Sequence, residues 1–224
     1  MNTNPLTKKR ITAGGIATAI VVLAIYIGVF VAEQMIPPTS MLFTVLKKGA
    51  TYALVAVSMN LLNGFTGLFS LGQAGFMLIG AYAYSIFMIP SDQHEAVYQY
   101  FDGGIIRFSF AELIGNALGA NAGAWLGAII GIIIAGCVAA VFAFLIGFPV
   151  LRLKSDYLAI ATLGFAEIVR AVFQWDGLGV VTNGSNLLRK YTSFSQMKIG
   201  SLSFSTLFPF LIATVCIAII VLLI

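Results

Sequence analysis

Charged side chains are scarce in this sequence, and their scarcity sets the first limit on what the chain can be. Only 9% of the 224 residues are Asp, Glu, Lys or Arg, whereas 60% are hydrophobic. Several uninterrupted segments exceed the length of about 18 apolar residues that is typical of a membrane-spanning helix. The apolar residues do not alternate with polar ones, which argues against a membrane β-barrel. The composition predicts an all-α polytopic membrane protein.

Side chains that carry out catalysis are also few. The only histidine is His94, and the two cysteines, Cys137 and Cys216, lie in apolar segments and form no Cys-x-x-Cys motif. Ser70 lacks the glycine that a nucleophile elbow has two residues before its serine. Tyr98 stands where the zinc-protease helix motif that begins at His94 would need its second histidine. We therefore predict no catalytic site, no metal site and no enzyme activity.

The sequence contains no Gly-x-x-x-x-Gly-Lys-[Ser/Thr] phosphate loop, so we expect neither ATP hydrolysis through such a loop nor a cofactor bound by this chain. The formal net charge is +4. Because the positive residues flank apolar segments, they indicate topology and not a nucleic-acid surface. Lys8, Lys9 and Arg10 precede the first apolar segment, which predicts a cytoplasmic N-terminus.

The apolar pattern predicts about six transmembrane helices. Prolines and polar loops separate them, and Lys47 and Lys48 fall just before the second, on the outer side. The segments lie at about residues 11–35, 49–62, 68–89, 122–148, 155–175 and 207–224. The polar stretch between the third and fourth segments is predicted to be an external loop.

A break rich in glycine and small polar residues interrupts the apolar tract over residues 49–89. One helix of that length would measure about 60 Å, twice the thickness of the hydrocarbon core, so the tract must be two passes. Irregular backbone at membrane depth is tolerated where it is buried in protein or lines a polar cavity. The hypothesis is that this break, between spans two and three, lines a substrate path; the alternative is a tight turn between closely packed helices. The candidate path residues are Asn60, Asn63, Thr66, Ser70 and Gln73.

Two opposite charges, Glu167 and Arg170, lie three residues apart within a predicted span. Residues at this spacing are neighbours on a helix surface. Ionisable groups inside a membrane are costly and usually face the interior of a bundle or water. The pair is predicted to be either a structural salt bridge or part of a permeation lining.

Small residues recur at every fourth position around the fourth span, which is a packing device of membrane helices. A four-residue step drifts by about 40° on a helix of 3.6 residues per turn, so only about three successive members can share one face. The positions are Gly115, Gly119, Gly123, Gly127, Gly131, Ala135, Ala139, Ala143 and Gly147.

Two stretches resemble a known family. The segment NLLNGFTGLFSLGQA over residues 60–74, followed by IGAY at 79–82, is similar to the corresponding segment of branched-chain amino-acid ABC permeases. The second stretch joins LRL at 151–153, DYLAI at 156–160, TLGF at 162–165 and EIVR at 167–170, and it resembles the LivM-type subunit of that family. TNGSN at 182–186 resembles the external segment of the same subunit. In order, these motifs cover about residues 49–186.

The resemblance implies a transmembrane subunit of an ATP-driven importer in the bacterial cytoplasmic membrane. Its implied partners are a LivH-type permease subunit, two cytoplasmic ATPase subunits that hydrolyse ATP, an extracellular or periplasmic substrate-binding protein, and membrane lipid. The implied substrates are branched-chain amino acids. Members of the family continue into a cytoplasmic loop with a coupling helix, which nothing here matches. We therefore expect residues 1–224 to be a single permease domain that is incomplete at its C-terminus.

Two other functions fit the same residues. One is a related permease for urea or short amides, because substrate choice in such systems is expected to rest largely with the binding protein. The other is a membrane assembly subunit that conducts nothing. Uptake assays with leucine against urea, and uptake after removal of this chain, would separate the three.

Overall fold

The computed structural model describes residues 5–36, 40–192, 198–199, 202–203 and 207–223, and this part of the chain is almost entirely helical. Its α-helices are α1 (Pro5–Met35), α2 (Met41–Asn60), α3 (Gln73–Met88), α4 (His94–Val97), α5 (Phe110–Leu118), α6 (Ala120–Val150), α7 (Ser155–Gln174), α8 (Gly179–Thr182) and α9 (Leu207–Leu223). Two short strands, β1 (Lys198–Ile199) and β2 (Leu202–Ser203), pair antiparallel. Apart from this strand pair, the described residues match the predicted all-α class.

Three helical segments in the described ranges are long and apolar enough to cross a membrane: Met41–Gly64, Gly123–Val150 and Tyr157–Gln174. The helices Gln73–Met88 and Ser91–Val97 are bent by 101° relative to each other and would count as a fourth crossing if they form one broken span. A segment that crosses lipid must satisfy its backbone hydrogen bonds internally, and a long apolar α-helix does so. The fold is that of a multi-pass membrane protein.

Helix α2 begins earlier than its apolar pattern predicts. The sequence predicts a start near residue 49, with two lysines outside the span, but the helix begins at Met41 and encloses both. Ser40 caps it, because the Ser40 side chain accepts a hydrogen bond from the Leu42 N–H at 3.4 Å. Lys47 lies close enough to Glu33 of α1 for their charges to interact. The predicted boundary was therefore wrong: capping set the start of the helix, and hydropathy did not.

Glycines bring α6 close to its neighbours. A β-carbon on Gly123 would lie 2.5 Å from the Ala111 carbonyl oxygen of α5, and one on Gly127 would lie 2.7 Å from the Ala111 Cα. One turn further on, Gly131 faces α3, where a β-carbon would lie 3.1 Å from the Met88 sulfur. Small residues thus permit close helix packing, and the contact passes from α5 to α3 as the four-residue repeat winds around the helix.

Helix α7 packs on α3 through a single stripe. Leu158, Thr162, Ala166 and Val169 of α7 are all buried. Their spacing of three and four residues places them on one side of the helix. Aromatic pairs add to the contact, with ring centroids 5.3 Å apart for Phe76 and Phe165 and 4.7 Å apart for Tyr82 and Phe173. These contacts fix the position of α3, which begins at the end of the non-helical segment described below.

The polar loops that follow α3 and α7 pack against each other. Tyr98 is buried, and its hydroxyl donates a hydrogen bond to the Val181 carbonyl oxygen at 2.8 Å. The Ile105 N–H donates to the Val180 carbonyl oxygen at 3.1 Å. Burial, with a smaller contribution from Tyr82, raises the pKa of Tyr98 to about 12. The tyrosine therefore remains a neutral hydrogen-bond donor at physiological pH.

Candidate functional site

The chain between α2 and α3 leaves regular helical geometry. After Asn60 it passes through a π-helical turn, Leu61–Phe65, and it is not helical over residues 66–72. Single π-turns occur frequently at functional sites. Gly67 has a φ of +68°, a conformation that favours glycine because it has no β-carbon. Residues 61–72, called the break segment from here on, carry most of the predicted path residues.

Polar side chains within the break segment satisfy its own backbone. The Asn63 Oδ1 accepts a hydrogen bond from the Ser70 N–H at 3.2 Å, and the Ser70 Oγ accepts one from the Gly72 N–H at 3.4 Å. The Thr66 hydroxyl donates to the Leu62 carbonyl oxygen. Backbone groups that leave a helix in apolar surroundings need such partners. These three side chains therefore hold the shape of the segment.

Thr162 fastens the break segment to α7. The Leu71 N–H donates to the Thr162 Oγ1 at 3.0 Å, and the Thr162 hydroxyl donates to the Ala159 carbonyl oxygen at 3.0 Å. Gly72 lies so close that a β-carbon there would be 3.1 Å from the Thr162 Cβ. Sequence reasoning gave Thr162 no role. The sequence feature that could have identified it is its position: Thr162 is a polar residue four positions after Leu158 and four before Ala166, in an otherwise apolar stripe of α7.

The five predicted path residues differ in exposure. Ser70 is buried, Asn63 and Gln73 are half-buried, and Asn60 and Thr66 are exposed. The structure joins Asn63 to Ser70 directly, while Gln73 is the first residue of α3 and Asn60 the last of α2. The set therefore spans the break segment and the two helix ends that flank it.

A cavity of about 200 Å³ lies beside the break segment, between it, the end of α6 and the start of α7. Its polar lining consists of Ser70 and Thr162. The remaining lining is apolar: Leu62, Leu68, Phe76, Ala143, Ile146, Gly147, Val150, Leu151 and Leu158. An apolar cavity with few polar groups is the usual form of a small-molecule site. Its chemistry suits an aliphatic group.

Glu167 and Arg170 lie apart from this cavity and are not among its lining residues. The Arg170 Nη2 is 2.8 Å and its Nε 2.9 Å from the Glu167 Oε2, so the two side chains form an ion pair along α7. Both are exposed on this chain, the Arg170 side chain at 61% and the Glu167 side chain at 60%. The predicted pairing is present, and the pair faces away from the break segment.

The role of Thr162 can be tested by an isosteric substitution. Thr162→Val keeps the side-chain shape but removes the acceptor of the Leu71 N–H, and a buried unsatisfied donor costs about 1–3 kcal/mol. We expect a lower melting temperature in detergent, measured by intrinsic fluorescence. Thr162→Ser keeps the hydroxyl and serves as the matched control. Equal melting temperatures for the Val and Ser variants would show that the hydrogen bond does not hold the segment.

Comparisons with known proteins point to one family. A family model described as "Branched-chain amino acid transport system / permease component" matches residues 41–224. The high-affinity branched-chain amino acid transport system permease protein LivM of Salmonella typhimurium is 36% identical over 119 residues, and LivM of Escherichia coli is 37% identical over 119 residues. Each match covers 53% of this chain and 20% of the relative. No solved structure matches the chain.

Proposed function

Because this chain belongs to the family of branched-chain amino acid transport system permease components, we propose that it is a transmembrane subunit of an ATP-driven importer of branched-chain amino acids. The family match over residues 41–224 and the similarity to two LivM proteins support this function. The proposed location is the bacterial cytoplasmic membrane, with the N-terminus in the cytoplasm. The three basic residues before the first apolar segment support that orientation.

In this proposal α1, α2, α3, α6, α7 and α9 each cross the membrane. The break segment, which is rich in glycine, then lies between the second and third crossings. Arg152 and Lys154, which follow α6, would lie in the cytoplasm, in agreement with the distribution of basic residues in cytoplasmic loops. The break segment, the end of α6 and the start of α7 would all lie toward the same side of the membrane.

The observation that carries the proposal is the break segment held by Thr162 beside an apolar cavity. Non-helical backbone that lines a cavity is the form that substrate sites take in many transporters. We propose that Asn60, Asn63, Thr66, Ser70 and Gln73 line the substrate path. The cavity would receive the aliphatic side chain of the substrate, and the start of α3 at Gln73 would face its carboxylate.

The importer would need further subunits. The proposed partners are a LivH-type permease chain, two cytoplasmic ATPase subunits and an external substrate-binding protein. The ATPase subunits would bind and hydrolyse ATP. This chain would contribute the membrane path alone, surrounded by lipid and its permease partner.

Uptake of radiolabelled leucine tests the path residues. In cells that express the chain with its transporter partners, Gln73→Ala and Asn63→Ala should each lower uptake roughly two- to tenfold, because a lost hydrogen bond costs about 0.5–1.5 kcal/mol. Gln99→Ala and Asn116→Ala, which alter exposed amides of the external loop and α5, are the matched controls and should leave uptake unchanged.

Unchanged uptake in both path variants would contradict a substrate-lining role for the break segment. Uptake of urea in place of leucine would contradict the proposed substrate class. Uptake that survives deletion of this chain would identify it as an assembly subunit that conducts nothing.

A further inference from the structure

We propose that Gly147, near the end of α6, limits the size of the aliphatic side chain that the cavity beside the break segment accepts. This inference, called the size limit from here on, rests on the proposed function, in which that cavity receives the side chain of a branched-chain amino acid. It assigns to the permease chain a selection among amino acids of its own, in addition to the selection made by the external binding protein.

Helix α6 forms a wholly apolar part of the cavity lining. It contributes Ala143, Ile146, Gly147 and Val150, and Leu151 follows directly after the helix. Their spacing of three and four residues places them on one side of α6. Ala143 and Gly147 have the smallest volumes in this set, so they leave the most space beside the α6 backbone.

Close helix packing does not account for the glycine at position 147. Outside the local helix backbone, a β-carbon on Gly147 would have one neighbour within 4 Å, the Leu151 Cδ1 at 3.9 Å. That distance is an ordinary van der Waals contact. On the same helix, a β-carbon on Gly123 would lie 2.5 Å from the Ala111 carbonyl oxygen of α5. Packing against a neighbouring helix therefore explains Gly123 but not Gly147.

Backbone geometry does not account for this glycine either. Gly147 lies inside α6, and its carbonyl oxygen accepts a hydrogen bond from the Leu151 N–H at 2.9 Å. Its φ does not have the positive value that favours glycine. Glycine destabilises the interior of a helix relative to alanine. The remaining effect of glycine at this position is the space that it leaves in the cavity.

The polar part of the lining favours one orientation of a bound amino acid. The Thr162 hydroxyl accepts from the Leu71 N–H and donates to the Ala159 carbonyl oxygen. The Ser70 Oγ accepts from the Gly72 N–H, but its own hydrogen has no acceptor among the residues that the structure describes. This donor is available to the substrate carboxylate. The apolar α6 side of the lining is then left for the substrate side chain.

A side chain at position 147 would therefore act on leucine more than on valine. It would lie beside Leu151 and occupy space that the substrate side chain needs. Leucine is longer than valine by one methylene group. In a hydrophobic pocket, one methylene changes the relative rates for two substrates by about 10- to 200-fold. The ratio of leucine uptake to valine uptake thus reports on the space at this position.

Paired uptake of radiolabelled leucine and valine tests the size limit. The full chain with Gly147→Ala or Gly147→Val is expressed with its transporter partners, and every strain contains the same binding protein. We expect the leucine-to-valine ratio to decrease from glycine to alanine to valine at position 147, by about tenfold for the valine variant. Because the binding protein is unchanged, an altered ratio must arise in the permease.

Gly136→Val is the matched control on the same helix. A β-carbon on Gly136 would also meet nothing within 4 Å, and Gly136 is not a lining residue of the cavity. This variant should leave the leucine-to-valine ratio unchanged. An unchanged ratio in the Gly147→Val variant, or an equal change in the Gly136→Val variant, would overturn the size limit.

A substitution that enlarges the cavity decides the matter if a larger side chain at position 147 prevents folding. Leu151→Ala removes the side chain that comes closest to a β-carbon at Gly147. It should raise the leucine-to-valine ratio several-fold, because the longer substrate gains more from the added space. An unchanged or lower ratio in this variant would also overturn the size limit.

Uptake by the unsubstituted complex separates this inference from the proposed function. If that complex takes up neither leucine nor valine, the proposed function is contradicted and the size limit with it. If it takes up both, and the ratio stays the same in the variants at positions 147 and 151, the size limit alone is contradicted.

Discussion

Glu167→Gln alone is expected to lower the amount of assembled transporter complex sharply. The double variant Glu167→Gln/Arg170→Gln is expected to restore most of that amount. The single change leaves the Arg170 guanidinium without its carboxylate, which lies 2.8 Å away, near the middle of the candidate span Tyr157–Gln174. Because α7 is proposed to cross the membrane, removing one partner of this ion pair should cost roughly 3–5 kcal/mol, as it does for a buried pair, while replacing both partners by neutral groups is often tolerated. The amount of complex is measured by size-exclusion chromatography after extraction in mild detergent.

The matched control is Glu95→Gln, which removes an exposed carboxylate of α4. It should leave the amount of complex unchanged. A solvated surface ion pair contributes only about 0–1 kcal/mol, so such a pair would give small and similar losses in the single and double variants. Similar losses would therefore contradict an ion pair that lies within the membrane and away from water.

Gly75→Val is expected to bring leucine uptake close to background and to lower the melting temperature of the chain. A β-carbon at this position would lie 2.9 Å from the Ala166 Cα of α7 and 3.3 Å from the Phe165 ring. Because the closest atom, the Ala166 Cα, belongs to the backbone, the valine side chain can be accommodated only if α3 and α7 move apart. Overpacking of this kind costs about 1–3 kcal/mol, and separation would also stretch the bond between Leu71 and Thr162.

Gly80→Val on the same helix is the matched control, since a β-carbon at Gly80 meets nothing within 4 Å. Both variants are compared by thermal unfolding in detergent and by leucine uptake with the transporter partners. We expect a large loss of thermal stability and of leucine uptake for Gly75→Val, and little change in either for Gly80→Val. Equal effects of the two substitutions would show that the close contact between α3 and α7 does not limit stability or uptake.

The helical class could be predicted from the sequence because it follows from local properties. Continuous apolar segments require helices in a membrane, and their lengths indicate crossings. The start of α2 could not be found in this way. Ser40 caps a helix that contains Lys47 and Lys48, and a hydropathy pattern places such lysines outside. The interaction of Lys47 with Glu33 joins two helices, so a hydropathy average over neighbouring residues does not detect it.

The position of the candidate site could be predicted from the sequence, but the hydrogen bonds that give it its shape could not. Glycine and amide residues at membrane depth indicate irregular backbone, which directs attention to residues 60–73. The hydrogen bond between Asn63 and Ser70, seven positions apart, depends on the path that the chain takes after its π-turn. Thr162 acquires its role only when α7 lies beside the break segment. Such contacts are tertiary, and periodicity carries no information about them.

The contact between Leu71 and Thr162 has a consequence for the order of events during synthesis. Its two partners are 91 positions apart in the chain. At about 5–20 residues per second, the ribosome adds Thr162 roughly 5–20 s after Leu71. Through that interval the Leu71 N–H lacks its native acceptor, while Asn63, Thr66 and Ser70 can already bind within the segment. The acceptor from α7 thus becomes available only after Asn63, Thr66 and Ser70, the side chains that bind within the break segment, have all been synthesised.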